Sequence, residues 1–130
     1  MTKKSKLVRL DSKHVYDLEK RTFSRVLGTK NVRIFVKKLP KTIVNIEDGK
    51  QIIKASGSTG ANYIEANESL SKKDFVFRIK ICRKESKESA YFLRLIKETN
   101  PEEYEDEATI LFNEANELKK IFSSIIEKSK

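Results

Sequence analysis

Two runs of residues in the C-terminal half of the chain step with alternating spacings of four and three. Phe75, Ile79, Cys82, Ser86, Ser89, Leu93 and Ile96 form the first; Tyr104, Ala108, Leu111, Ala115, Leu118, Phe122 and Ile125 form the second. An α-helix turns once in 3.6 residues, so each run becomes one stripe along a helix, and stripes of that length must be covered by other helices. A strand, with its period of two, can bury neither. The helix starts agree. Ser71 can accept from the amide near Asp74 as an N-cap, and Asn100-Pro101 followed by Glu103 reads as a capping box with proline at the first helical position. Glu102, Glu103, Glu105 and Asp106 crowd the positive end of that helix's dipole.

The N-terminal half is less regular. From Tyr16 the pattern is helical, with Leu18, Phe23, Val26, Val32, Phe35, Val36 and Leu39 available for burial. Gly28 interrupts it, since a glycine inside a helix costs about 1 kcal/mol relative to alanine, and a kink or break is expected at Gly28-Thr29. Pro40 ends the segment. The next segment reads in two ways. Ile46, Ile53, Gly57, Gly60 and Ile64 fit one helix face, in which case the glycines let a neighbouring backbone come close. Yet Ala55 to Ala61 is an unbroken run of small residues with poor helix propensity, which reads as a loop. Only Val32 to Val36 alternates like a strand, and it lies among basic helical residues.

At 130 residues the chain supports one core. The expected fold is all-α: an elongated, antiparallel, up-down-up-down four-helix bundle over residues 14–130, preceded by a flexible basic arm over 1–13. One cysteine excludes an internal disulfide and a cysteine-based zinc cluster. No apolar run reaches the length of a membrane span, and the basic N-terminus lacks a signal-peptide core, so a cytoplasmic protein without membrane contact is expected.

Charge is unevenly distributed. Of the formal net charge of +9, residues 1–41 hold 13 basic against 3 acidic residues and residues 71–99 hold 9 against 4, whereas 100–130 hold 4 against 8. On the third helix Lys73, Phe77, Lys80, Lys84, Lys87, Tyr91 and Arg94 run along one stripe, opposite the apolar seam. The five cations can neutralise phosphates while the rings of Phe77 and Tyr91 stack on bases. The plainer reading is a solvated face whose two aromatics are buried against a neighbouring helix or subunit.

On the second helix Gln51, Ser58, Asn62, Glu65 and Ser69 share a polar line. Asn62 and Glu65 could bind a ligand, but an interhelical network joining Ser58, Asn62 and Glu65 to Arg78 or Arg83 is the simpler expectation. The segment Gly57-Ser58-Thr59-Gly60 lacks the ending and the preceding strand of a phosphate loop. His14 is the single histidine and lies near the arm, so no Ser/His or Cys/His pair can be assembled. The Glu-x-x-His element of di-metal bundles is absent. Cys82 sits on the seam as a small apolar group. No catalytic residue, cofactor or metal is expected.

The stretch Leu39-Pro40-Lys41-Thr42, Gln51, the run Ser56-Gly57-Ser58-Thr59-Gly60-Ala61-Asn62-Tyr63-Ile64-Glu65-Ala66, Ser71-Lys72-Lys73-Asp74-Phe75, and Ile81 to Glu88 together resemble the bacterial four-helix-bundle proteins encoded by intervening sequences of 23S rRNA genes. The likeness spans roughly residues 14–128, and it implies that the small-residue run lies inside the second helix. The family has no established reaction. It is similar in turn to the accessory protein of diversity-generating retroelements, a pentameric barrel that binds nucleic acid, which implies a homopentamer with RNA or DNA as partner. The chain departs from the family pattern around Val26 to Thr29, leaving the first helix's register open. Two functions follow as expectations: a non-enzymatic oligomer holding nucleic acid through Lys73, Lys80, Lys84, Lys87 and Arg94, or a structural adaptor whose Phe77 and Tyr91 are buried against another protein.

Overall fold

The computed structural model describes residues 12–24 and 28–130. Its regular structure is helical, with no strand among the described residues: α1 (Ser12–Phe23), α2 (Thr29–Lys38), α3 (Ile43–Asn67), α4 (Lys72–Thr99) and α5 (Glu105–Lys128), with a 3-10 turn at Glu102–Tyr104. At 1.5 Å per residue α4 is about 42 Å long, so the body is a bundle of long rods. The largest packed surfaces join α4 to α5 and α3 to α4, while α1 and α2 both lie against α3.

The first helical segment breaks where the glycine stands. Gly28 caps α2 with φ −50° and ψ 142°, and a Cβ there would run into the backbone of Phe23 and Ser24. The turn is stitched by Val32 N donating to Gly28 O at 3.1 Å and Asn31 Nδ2 donating to Ser24 O at 3.1 Å. Residues 25–27, which include Val26, and residues 1–11 of the expected arm lie outside the described residues, as do the side chains of 12–16 with His14. Leu18, Val32, Phe35 and Leu39 enter the core, but Phe23 is 60% exposed. The preceding residue, Thr22, makes the close contact with α3, and one helical step of about 100° turns Phe23 away from it.

Residues 55–62 are helical, as the resemblance implied, but the buried face of α3 is turned from the expected line of Ile46, Ile53, Gly57, Gly60 and Ile64, of which Gly60 alone is fully buried. Ile52, Ala55, Ser56, Thr59, Gly60, Tyr63 and Ala66 are buried, whereas Ile46 and Ile64 are exposed. Close approach decides this. A Cβ at Gly49 would lie 2.9 Å from Val36 Cγ1, and one at Gly60 would lie 3.2 Å from the carbonyl oxygen of Thr22. Small side chains therefore face the neighbours, and buried hydroxyls return to their own helix, Thr59 Oγ1 donating to Ala55 O at 3.0 Å.

Gly57 differs from both: a Cβ there would meet only Thr29 Oγ1 at 3.7 Å and Arg33 at 3.8 Å, ordinary contacts. Gly57→Ala should accordingly stabilise the chain by about 0.5–1 kcal/mol through helix propensity. Gly49→Ala should destabilise it, because overpacking of about 1–3 kcal/mol against the stiff Val36 outweighs the same gain. Urea midpoints moving in the same direction for both variants would refute this account.

The seams of α4 and α5 are buried as expected, apart from the half-buried Tyr104. Ser71 accepts from Asp74 N at 3.0 Å, and Thr42 caps α3 by accepting from Asn45 N at 3.1 Å. Asn100 departs from expectation. Its side chain does not cap α5; it donates to Ile96 O at 2.8 Å and to Asn45 Oδ1 at 2.9 Å, and accepts from Asn45 Nδ2 at 2.7 Å. Engaged by Asn45 across the bundle, it leaves α5 to begin through the 3-10 turn, in which Tyr104 N donates to Pro101 O at 3.1 Å. A two-pronged bond from Arg21 to Glu114, at 2.8 and 2.7 Å, ties α1 to α5.

Candidate nucleic-acid interface

The stripe of α4 opposite its buried seam faces solvent. Lys73, Lys80, Lys84, Lys87 and Arg94 are all exposed, and Phe77 and Tyr91 are 56% and 59% exposed. Among the described residues no helix covers the two rings, which stay more than half exposed. Tyr91 makes an edge-to-face contact with Phe92, centroids 5.1 Å apart, which steadies its ring without hiding it. Phe77 lies at a shallow recess of about 490 Å³ that it shares with Lys72, Lys73, Val76 and Lys80. From Lys73 to Arg94 the stripe spans about 32 Å of helix, room for several phosphates in succession. Arg94 Nε is bonded to Glu98 at 3.0 Å in an exposed pair, a weak tie that a phosphate can replace.

The polar line of α3 is partly a network. Asn62 Nδ2 donates to Ser58 Oγ at 3.1 Å and to Ser58 O at 2.9 Å, and Arg78 donates to Asn62 Oδ1 at 3.0 Å, linking α3 to α4. Glu65 is exposed, and Arg78 turns to Asn62 in its place; Arg83 is half-buried and outside these bonds.

Farther along α4, burial pushes the Glu85 carboxyl above its ordinary range, its hydrogen bond to Glu88 and that residue's charge add to the rise, and Lys84 and Lys54 oppose it. A carboxyl with a raised native pKa holds its proton more tightly when folded, so its contribution to stability is lost as pH rises through that value. Glu85→Gln should therefore be more stable than the parent chain at pH 7 and match it below about pH 4, where both side chains are neutral. Melting curves across that range check it, and a gap that persists at low pH would contradict it.

Cys82 is buried, its thiol donating to Thr59 O at 3.5 Å, and burial pushes it up to about 12. A thiol reagent should modify it far more slowly in the folded chain than in denaturant, because the sulfur is fully buried and burial also disfavours the reacting thiolate. Equal rates, followed by absorbance, would exclude this burial. Among the described residues, no group of three His, Cys, Asp or Glu side chains could hold a metal ion, and no helix is long and apolar enough to cross a membrane.

One surface went unseen in the sequence. A groove of about 700 Å³ runs between α1, α2 and α3, with Gly57, Gly60 and Ala61 along α3 and with Phe23, Ile34 and Ile64 around it. These residues come from three helices, and their separate patterns do not announce a common site. The available signal was Gly57, a helix-interior glycine that no clash within its own chain requires.

No curated protein matches this chain. Among solved structures it is similar to a protein of unknown function from the S23 ribosomal protein family of Bacteroides thetaiotaomicron, with 27% identity and a TM-score of 0.69, over 85% of this chain and 98% of that one. That likeness carries fold without an activity. The family model for the 23S rRNA-intervening sequence protein matches residues 17–124, including the α4 seam, the α5 seam as far as Phe122, the small-residue helix and the basic stripe. By that match, the chain belongs to the 23S rRNA-intervening sequence protein family.

Proposed function

We propose that this chain acts without catalysis, as a cytoplasmic homo-oligomeric four-helix bundle that binds RNA or DNA through the basic face of α4. In this reading α1 and α2 serve as one broken rod, and the rods run up, down, up and down. The resemblance stated at the outset suggests five copies. The observation that carries the proposal is the solvent-facing row of Lys73, Lys80, Lys84, Lys87 and Arg94 with two exposed rings between them. A row of cations on a rigid helix meets backbone phosphates without reading sequence, and exposed rings accept any base. The chain's net charge of +9 is multiplied by assembly and steers polyanions towards it.

The test is the binding of a structured RNA across about 50 to 200 mM salt; affinity indifferent to salt defeats the proposal, because counterion release demands a steep loss. Exposed Phe77 and Tyr91 also suit an adaptor that docks another protein. Phe77→Ala with Tyr91→Ala separates the two. Dissociation of the oligomer by this pair, together with nucleic-acid retention unmoved by charge reversals on α4, favours the adaptor.

A further inference from the structure

The groove between α1, α2 and α3 combines three properties that together specify what fits it. Its floor is Gly57, half-buried, where an added Cβ would make only ordinary contacts with the Thr29 and Arg33 side chains, at 3.7 and 3.8 Å. Gly49 and Gly60 have their reasons inside the chain, in Val36 and Thr22, whereas Gly57 carries the cost of a helix-interior glycine, about 1 kcal/mol, with no internal neighbour to require it. A missing Cβ there keeps the groove deep beside α3, bordered by the side chains of Thr29 and Arg33. The walls are apolar and exposed at Phe23, Ile34 and Ile64. The rim is basic on its α2 side, where Lys30, Arg33 and Lys37 come from a helix whose sequence TKNVRIFVKK holds no carboxylate; the one carboxylate in the lining, Glu19 of α1, accepts from Asn67 Nδ2 at 3.2 Å. The occupant is therefore an acidic helix face with an apolar anchor.

Resting on the homo-oligomeric reading above, we propose that the groove receives the outer stripe of α5 from a second copy of this chain, with Ile110 as its anchor. Large exposed apolar residues stand on three long helices, at Ile43, Val44, Ile46 and Ile64 of α3, Phe77 and Tyr91 of α4, and Ile110 of α5; α3 is already a wall of the groove, and charge chooses between the other two. The α4 face would set Lys73, Lys80, Lys84 and Lys87 against Lys30, Arg33 and Lys37, a juxtaposition of like charges that disfavours docking. The α5 face places Ile110, 56% exposed, in the row Asp106, Ile110, Asn113 and Glu117, all exposed and spaced by four and three, with the exposed Glu103 of the preceding 3-10 turn three residues before Asp106. Asp106 and Glu103 on one side of the anchor meet the α2 cations and set the register. Groove and stripe are different surfaces, so each copy gives one and receives one; such contacts continue until a ring closes or a filament grows. The basic face of α4 takes no part and stays open to phosphates.

The experiment is light scattering on the full chain and on two surface variants, Ile110→Lys and Arg33→Glu, with circular dichroism confirming unchanged helix content and Ile110→Ala as a milder substitution at the anchor. Each charged variant alone should fall to the 15.1 kDa of one chain. Mixed in equal amounts they should form a particle of twice that mass and no larger, because Ile110→Lys keeps an intact groove and Arg33→Glu keeps an intact stripe. Ile110→Ala should weaken self-association without abolishing it. Variants that retain the parent mass, a mixture that stays at one chain, or dissociation caused by Phe77→Ala with Tyr91→Ala overturn the proposal. A parent chain that is itself monomeric overturns it along with the oligomeric clause, yet salt-dependent RNA binding by that monomer would leave the α4 interface standing. Conversely, loss of RNA binding with the two-variant rescue intact defeats the nucleic-acid reading and keeps this contact.

Discussion

Replacing Lys73, Lys80, Lys84 and Lys87 together by glutamine should remove most of the chain's hold on a structured RNA while leaving the fold intact. Each phosphate contact contributes about 0.9 to the slope of log affinity against log salt on a duplex, so five contacts predict a loss of about 500-fold between 50 and 200 mM salt. With only Arg94 remaining, the same interval should cost about 3-fold. All four lysines are exposed, and surface substitutions usually change stability by about 0.5 kcal/mol or less each, so the four together stay within about 2 kcal/mol, and circular dichroism of the variant separates a binding defect from unfolding. Titrations of parent and variant at several salt concentrations supply the comparison. Equal slopes would mean that the phosphates are met elsewhere on the molecule.

Phe122→Ala should cost the protein about 3–5 kcal/mol, a large part of the roughly 5–15 kcal/mol that holds a domain of this size together. Its ring is fully buried on α5 and lies 6.1 Å, centroid to centroid, from that of Tyr63 on α3, itself fully buried. Truncation would leave a void between two long helices whose backbones are already held apart by neighbouring side chains, so collapse cannot fill it. Ile110→Ala, on the same helix but exposed, should change the stability of the single chain by about 0.5 kcal/mol or less. Urea denaturation read by circular dichroism gives both values. A Phe122→Ala midpoint close to that of the parent would show that α3 and α5 do not meet through this ring.

The helix break at Gly28 and the caps at Ser71 and Thr42 illustrate where local chemistry is decisive, since each depends on atoms only a few residues apart. The Asn100 side chain illustrates the opposite. Its neighbours in sequence point to an N-cap, and Asn45, 55 residues away, claims the same amide. Likewise, helix spacing leaves both Glu65 and Asn62 open to Arg78, and the packing of α4 on α3 delivers it to Asn62.

From residue order alone, the buried faces of α4 and α5 and the cation stripe between Lys73 and Arg94 were already determined, because a large apolar or charged side chain repeating every 3.6 residues states its own side of a helix. The inward face of α3 and the groove at Gly57 were settled only in three dimensions. Glycine, alanine, serine and threonine bury little area and so carry almost no hydrophobic signal; whether they lie inside depends on how near another helix comes. That distance is set by Thr22 and Val36, residues on other helices, and no pattern within α3 contains it.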